Sequence, residues 1–231
     1  MKTFSIVIPT YEMHGKGMQF LHHSLRCLSN QTFKDFEIII TDHSKNNDIQ
    51  ELCEDWSSLD IKYFRNTENV GNFSYNTNVA IDMCSGKWIK LLFQDDYLVS
   101  ENSLELLEQK LDNNVHWAVH GCYHTNDGKE LYRPFTPSWG NRLHEGVNTL
   151  SSPTNLVFKN TDDNQKFNTN YTWMMDIDWY IRAFQKHGLP KLISDKIAVV
   201  RTWEGQLSST LTIPEKKKEH KEIYEKFQGN Y

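Results

Sequence analysis

No stretch of the 231-residue chain approaches the ~18 consecutive apolar residues of a membrane-spanning helix, so none is expected to cross a bilayer. The opening MKTFSIVIPTYEM has neither the long apolar core nor the small-residue cleavage site of an export signal. Positive charge is not in excess: 25 Lys and Arg against 30 Asp and Glu leave a net charge of −5, which argues against nucleic-acid binding through overall charge. Cysteine is scarce, and Cys27, Cys53, Cys84 and Cys122 lie far apart with no paired spacing. That pattern fits neither a thiolate metal motif nor a small secreted disulfide framework, and no zinc centre is expected. A cytoplasmic location with reduced thiols follows as the expectation, with peripheral contact at the inner face of a membrane as its variant. Repeats, low-complexity tracts and an internal linker are also missing, so residues 1–231 read as a single domain.

What is present is a regular alternation. Phe4 to Pro9, Phe36 to Thr41, Ile61 to Arg65 and Trp88 to Phe93 are short β-branched or apolar runs. Between them, Met18 to Gln31, Asn47 to Ser57 and Phe73 to Cys84 carry apolar residues at helical spacing. Strands alternating with helices of this size imply right-handed crossovers and a mostly parallel central sheet flanked by helices, an α/β fold of Rossmann-like type. Beyond Glu101 the pattern changes to a helix over Ser103 to Leu111, a strand in WAVHGCYH turning at Asn126 to Gly128 into KELYR, and a Pro-, Gly- and Trp-rich loop over 134–150. A strand over Asn155 to Lys159, a helix over Trp179 to His187, a strand over Lys196 to Val200 and a charged helix from Pro214 complete it. The lysines and glutamates of that last helix read as a solvated face, with a membrane-surface role as the lesser alternative.

The run LLFQDDYL, residues 91–98, ends a buried strand on two adjacent carboxylates, Asp95 and Asp96. Ionised carboxylates are costly to desolvate, so these two must face a divalent cation, a basic side chain or solvent. In open parallel sheets ligands bind beyond the carboxyl ends of the strands. Three such ends carry polar chemistry here: Thr10 with Tyr11, Asp42 with His43 and Ser44, and Asp95 with Asp96. Each has a plainer reading beside the functional one. Asp42 could form an Asx turn, Asp95 or Asp96 could cap the next helix, and Asn69-x-Gly71 is an ordinary turn.

FSIVIPTYE, IIITDHSKNND, NVGNFSYNTNVAIDMCSGKWIKLLFQDDYL and WMMDIDWYIRAF, in this order and spacing, resemble family 2 glycosyltransferases of the GT-A fold over roughly residues 4 to 210. The resemblance implies a nucleotide-sugar-binding half (1–100), an acceptor-binding half (101–213) and a charged C-terminal helix (214–231). It places Pro9, Thr10 and Tyr11 along the donor edge and Asp42 at the nucleobase and ribose. Asn69, Gly71 and Asn78 would shape the diphosphate-side loop, with Asp96 near ribose or a basic side chain. Asp95 takes the position of the metal-binding aspartate for Mn²⁺ or Mg²⁺, and Asp176 that of the general base. A carboxylate at Asp176 is suited to taking the proton of an attacking hydroxyl, while its plainer reading is a helix cap beside a first-turn Asp178 that pairs with Arg182. The family pattern is broken at Phe93, Met175 and Glu12, where an aspartate, a glutamate and an asparagine are usual.

The expected activity is inverting transfer of a sugar from a nucleotide diphosphate sugar, a UDP-sugar foremost, to a hydroxyl of a carbohydrate or lipid-linked glycan in surface polysaccharide assembly. Two alternatives remain open at this point. A sugar-phosphate nucleotidyltransferase would use PTYEMHGKGM with Lys16 as a phosphate loop. A catalytically silent nucleotide-sugar binding module would explain Phe93 and Met175.

Overall fold

The computed structural model describes residues 1–227. In β1 (Phe4–Thr10) the residues Phe4, Ile6 and Ile8 fall on one face and Val7 on the other, and both faces are buried, as period-2 geometry between two helical layers demands. The chain continues through α1 (Gly17–Ser29), β2 (Phe36–Asp42), α2 (Asp48–Asp55), β3 (Ile61–Arg65), α3 (Phe73–Asp82) and β4 (Trp88–Leu91). It then forms β5 (Tyr97–Leu98), α4 (Ser103–Lys110), β6 (Trp117–Thr125), β7 (Tyr132–Phe135), β8 (Leu156–Lys159), α5 (Met175–His187), β9 (Lys191–Arg201), α6 (Leu207–Thr210) and α7 (Ile213–Phe227). Leu21, Leu25 and Leu28 of α1, Ile49 and Leu52 of α2 and Leu104 and Leu107 of α4 share one core layer with Ile6 and Ile38. Ala80 and Ile81 of α3, Ile177 and Ile181 of α5 and Ile223 of α7 pack on the opposite face with Val7 and Ile39.

Among the described residues one sheet runs in the order β3-β2-β1-β4-β8-β6-β9-β5, with β7 paired to β6. β3, β2, β1 and β4 are mutually parallel, as the alternating pattern predicts. Beyond β4 the sheet is mixed: β8 is antiparallel to β4 and β6, β9 is parallel to β6, and β5 is antiparallel to β9. The two-residue β5 has no sequence prediction behind it and sits at the far edge of the sheet, although it follows β4 by only five residues of chain. Strands on either side of residue 100 share one sheet: β5 pairs with β9 and β4 with β8.

Several bounds shift. β9 begins at Lys191 rather than Lys196, and α5 begins at Met175, four residues before its predicted start. α7 exposes Lys217, Lys218, Lys221 and Glu225 as a solvated face, while its Ile223 and Phe227, buried at 0% and 3% exposure, dock the other side of the helix on the second core layer.

Candidate active site

β1 and β2 end in register, with Thr10 opposite Asp42. From β1 the chain builds outward to β2 and β3, then returns to lay β4 on the other side of β1. This reversal leaves a crevice at the carboxyl ends of the strands. A cavity of about 510 Å³ opens there, and Thr10, Tyr11, Gly71, Asp95, Asp96 and Asp176 all line it. These predicted residues come together from four separate segments of the chain.

The adjacent carboxylates divide their work. Asp96 is buried at 3% exposure, its Oδ1 accepting the Arg201 N–H at 2.8 Å and its Oδ2 the Thr154 hydroxyl. Burial, then the Asp95 charge, pushes its carboxyl well above the usual range. Lys90 beneath it is fully buried, its ammonium donating to the carbonyls of Leu91 at 2.6 Å and of Thr154, and burial lowers its pKa to about 7. Asp96 thus secures the cleft floor to β9 and to the Thr154 turn while still bordering the cavity. Asp95 is only half-buried. The indole N–H of Trp203 donates to its Oδ2 at 2.9 Å, and burial raises its carboxyl. The Trp203 ring packs against Phe20 at 5.4 Å and lies under the Lys16 ammonium at 5.3 Å.

Asp42 is fully buried and does not line the cavity. Its Oδ1 accepts from the Thr10 hydroxyl at 3.1 Å and the Ser44 N–H at 2.9 Å. Its Oδ2 accepts from the Tyr63 hydroxyl at 2.7 Å and pairs with Arg65 at 3.2 Å. With both oxygens occupied, Asp42 braces the rim, and His43 and Lys45 after it line the cleft. Pro9 is buried within β1, one residue short of the rim. Asn69 lies in an exposed turn at φ 48°, outside the cavity lining, while Gly71 at φ 91° reaches it. Asn78 points its amide at the backbone of Phe167, donating to O at 2.8 Å and accepting from N at 2.7 Å, and so clamps α3 to the segment before α5.

Asp176 sits in the first turn of α5 rather than at its cap, since the helix begins at Met175. Asn148 Nδ2 donates to its Oδ2 at 2.6 Å and the Ile177 N–H to its Oδ1 at 2.7 Å. Burial pushes its carboxyl up to about 7, against the hydrogen bonds that lower it. A carboxylate that titrates near neutrality and borders a cavity is suited to accept a proton. Asp178 is fully buried and bonded to Arg182 at 2.8 Å, the predicted i,i+4 pair, and also to Lys226 of α7 at 2.5 Å.

Sequence reasoning missed several residues that shape the cleft. Gln94 accepts the Tyr11 N–H at 2.9 Å and donates to the Gly17 carbonyl at 2.9 Å, pinning both ends of the loop after β1. Gly17 is required there, because a Cβ would collide with the Tyr11 carbonyl oxygen. Phe73 and Phe93 meet edge to face at 4.6 Å, giving the cavity an apolar wall where the family pattern has an aspartate. Trp139 packs on Trp117 and Phe184 and lies outside the cavity lining. The one usable signal was Gln94, which sits inside the motif itself. Residues His116, His120 and His124 recur every fourth position, a spacing that gathers ligands on a helix. On a strand the same spacing spreads them along β6, where His120 bonds Gly121 O at 2.9 Å and His124 bonds Arg133 O at 2.9 Å.

No cluster of three or more His, Cys, Asp or Glu able to hold a metal occurs among the described residues. Asp95, with Oδ2 bonded by Trp203, has Oδ1 unbonded by any other described side chain. This donor set suits a hard divalent ion that takes one carboxylate from the protein and its remaining ligands from a diphosphate and water.

The architecture defines a class, the GT-A type of α/β glycosyltransferase fold. The crystal structure of S. aureus TarS 1-349 in complex with UDP-GlcNAc shares it with a TM-score of 0.74, covering 97% of this chain and 65% of that one at 18% identity. The mannosyltransferase PcManGT from Pyrobaculum calidifontis, in complex with GDP-Man and Mn²⁺, does so with a TM-score of 0.61, covering 86% and 56% at 15% identity. The glycosyl transferase family 2 model matches residues 5–184, and the chain belongs to that family. Among curated relatives, the GalNAc(5)-diNAcBac-PP-undecaprenol beta-1,3-glucosyltransferase of Campylobacter jejuni is 28% identical over 130 residues, 55% of this chain and 40% of its own length. Glycosyltransferase GlyG of Streptococcus pneumoniae is 27% identical over 124 residues, 53% of this chain and again 40% of its own. The match to each of these relatives thus takes in 40% of its length.

Proposed function

We propose that the protein transfers one sugar from a nucleoside diphosphate sugar, foremost a UDP-sugar, to a hydroxyl acceptor with inversion at the anomeric carbon. The observation that carries this reading is that Asp95 and Asp176 line one cavity at the carboxyl rim of the parallel strands. The acceptor oxygen attacks the anomeric carbon from the face opposite the leaving group, through an oxocarbenium-like state. As the new C–O bond forms, the bond to the diphosphate breaks, its electron pair leaves on a phosphate oxygen, and the hydroxyl proton passes to Asp176. Tyr11 and Lys45 border the same cavity and flank the donor. Asp95 is the residue that would hold Mn²⁺ or Mg²⁺, and such an ion, when bound, supplies positive charge to the leaving diphosphate. The TarS complex with UDP-GlcNAc and the Campylobacter relative's lipid-linked substrate support a nucleotide-sugar donor and a carbohydrate or lipid-linked glycan acceptor. A cytoplasmic setting in surface polysaccharide assembly, with peripheral contact at the inner membrane face, completes the reading. Among the described residues no helix is long and apolar enough to cross a membrane.

The test is release of nucleotide from a panel of UDP-, GDP- and dTDP-sugars with a hydroxyl acceptor, with and without Mn²⁺. Metal-stimulated release of nucleoside diphosphate is expected. Release of pyrophosphate from a sugar phosphate and a nucleoside triphosphate would make it a nucleotidyltransferase. Tight donor binding without any release would make it a binding module.

A further inference from the structure

The first turn of α5 carries the proposed base, yet the residue at its N-cap provides no side-chain acceptor. The residue at the N-cap is Met174, whose side chain makes no capping hydrogen bond. Methionine has no side-chain oxygen to receive an N–H at a helix start, and the backbone N–H groups of Thr172, Trp173 and Met174 leading into α5 form a cluster of donors suited to an anion. That anion comes from another helix, 45 residues on. Glu219 of α7 accepts the N–H of Thr172 at 3.0 Å on Oε1, and those of Trp173 at 2.8 Å and Met174 at 2.9 Å on Oε2. Three consecutive backbone donors thus converge on one carboxylate. This segment is not remote from chemistry: Thr172 and Trp173, held in this way, and Met175 and Asp176, which follow, all line the cavity.

α7 is fixed to this turn by more than one bond. Ile223 and Phe227 are buried in the core layer that contains Tyr171, Met174 and Met175, and Lys226 bonds the buried Asp178 at 2.5 Å. The family match ends at residue 184, so α7 lies outside the part of the chain that the family model describes.

We propose that Glu219 is a positioning residue for the transfer reaction: by gathering the Thr172, Trp173 and Met174 amides it fixes the segment that enters α5 and so holds the Asp176 carboxylate, two residues on, against the acceptor side of the cleft. This rests on the reading of Asp176 as the base. A second consequence is electrostatic. The ionisable groups that act on Asp176 are Glu219 from α7 and Tyr180 from α5, while Asp95, Asp96, Lys45 and Arg201 share the cavity lining. The Glu219 charge raises the Asp176 carboxyl, adding to the larger effect of burial. A base disposed in this way turns on later in pH than it would alone.

The experiment uses the full chain with three substitutions, Glu219→Gln, Glu219→Asp and Asp176→Asn, and two readings. One is the titration midpoint of the Asp176 carboxyl by ¹³C NMR, assigned by its disappearance in Asp176→Asn. The other is kcat and donor KM as functions of pH with the UDP-sugar that turns over. Glu219→Gln keeps length and one acceptor oxygen but removes the charge, and is expected to lower the Asp176 midpoint by about half a unit and move the acid limb of kcat with it. Glu219→Asp keeps the charge but withdraws it by one methylene, and is expected to cut kcat by about tenfold or more with donor KM unchanged. A structural role alone would lower the melting temperature of both variants and leave midpoint, acid limb and kcat per folded molecule as in the parent; that result overturns the proposal. Undiminished turnover in Asp176→Asn would instead remove the base assignment, and the NMR midpoint in Glu219→Gln would still report whether Glu219 acts on Asp176.

Discussion

Replacing Asp176 by asparagine should make the protein less active and, at alkaline pH, more stable. The carboxyl is raised from its ordinary 3.8 to about 7. A group whose folded pKa exceeds its unfolded one contributes stability that is fully present below the unfolded value and is lost as pH rises through the folded value. Between pH 4 and pH 8 the parent therefore loses stability at this position. About three units at ~1.36 kcal/mol each set an upper bound near 4 kcal/mol. Solvent entering the cleft screens part of this, and about 2 kcal/mol is the more realistic figure. Asparagine has one acceptor oxygen where aspartate serves both Asn148 and Ile177, so one hydrogen bond worth about 1 kcal/mol is given up at every pH. The net expectation is a small loss in Tm at pH 5 that becomes a gain of roughly 2–5 °C at pH 8. Turnover should fall by about 10² to 10⁴ with donor affinity nearly unchanged. Differential scanning fluorimetry of parent and variant from pH 5 to 8.5 reads the crossover. A Tm difference that does not vary with pH would refute the raised carboxyl, and near-normal turnover would refute its role as base.

Asp95→Asn should leave the fold intact and abolish divalent-dependent turnover, because the amide keeps the shape and loses the charge; unchanged Mn²⁺-dependent nucleotide binding by calorimetry would make Asp95 structural. Glu37 offers a test of the fold away from the cleft. Burial alone would raise its carboxyl, but hydrogen bonds from Lys62, Ser5 and Ser85 outweigh that and hold it down to about 2. Glu37→Gln should therefore cost about 2–3 kcal/mol at pH 7, with the difference shrinking as pH falls from 4.5 toward 2, since the stabilisation of a depressed carboxylate is lost through its folded pKa. Urea melts at pH 7 and pH 3 would show it, and an equal cost at both would point to lost packing instead.

The parallel half of the sheet was legible because β-branched runs broke off at Thr10, Asp42 and Asp95, and a buried strand has no packing reason to end on a carboxylate. At Asp42 the charge faces Arg65 and Tyr63 instead of the cavity, and at Asp96, which lines the cavity, both oxygens are already bonded by Thr154 and the Arg201 amide. These partners come from elsewhere in the chain, and local sequence does not reveal whether a carboxylate's oxygens are already taken. Asn78 matched a motif position but serves the backbone of Phe167, which lies 89 residues away. Glu219 was invisible for a related reason: in a run of alternating lysines and glutamates nothing marks one glutamate as the anchor of the segment that leads into a distant helix. The start of α5 was misplaced because Met174 and Met175 give no capping signal.

The strand β5 has a consequence for how the cleft comes into being. Tyr97 and Leu98 find their ladder partners at Val199 and Ala198, and Asp96 closes onto the Arg201 amide 105 residues away. Closing so long a loop is entropically unfavourable until other contacts hold its ends together, and pairings of this separation slow the search for the native state. On the ribosome, β1 through β4 emerge with their helices and can settle early, while the corner bearing Asp95 must wait for β9 to be made. A nascent chain cut short before residue 201 lacks the Arg201 amide and the Trp203 indole that anchor Asp96 and Asp95. Competence to engage a charged donor is in this sense a property acquired last, when the second half of the chain reaches across and fastens the first.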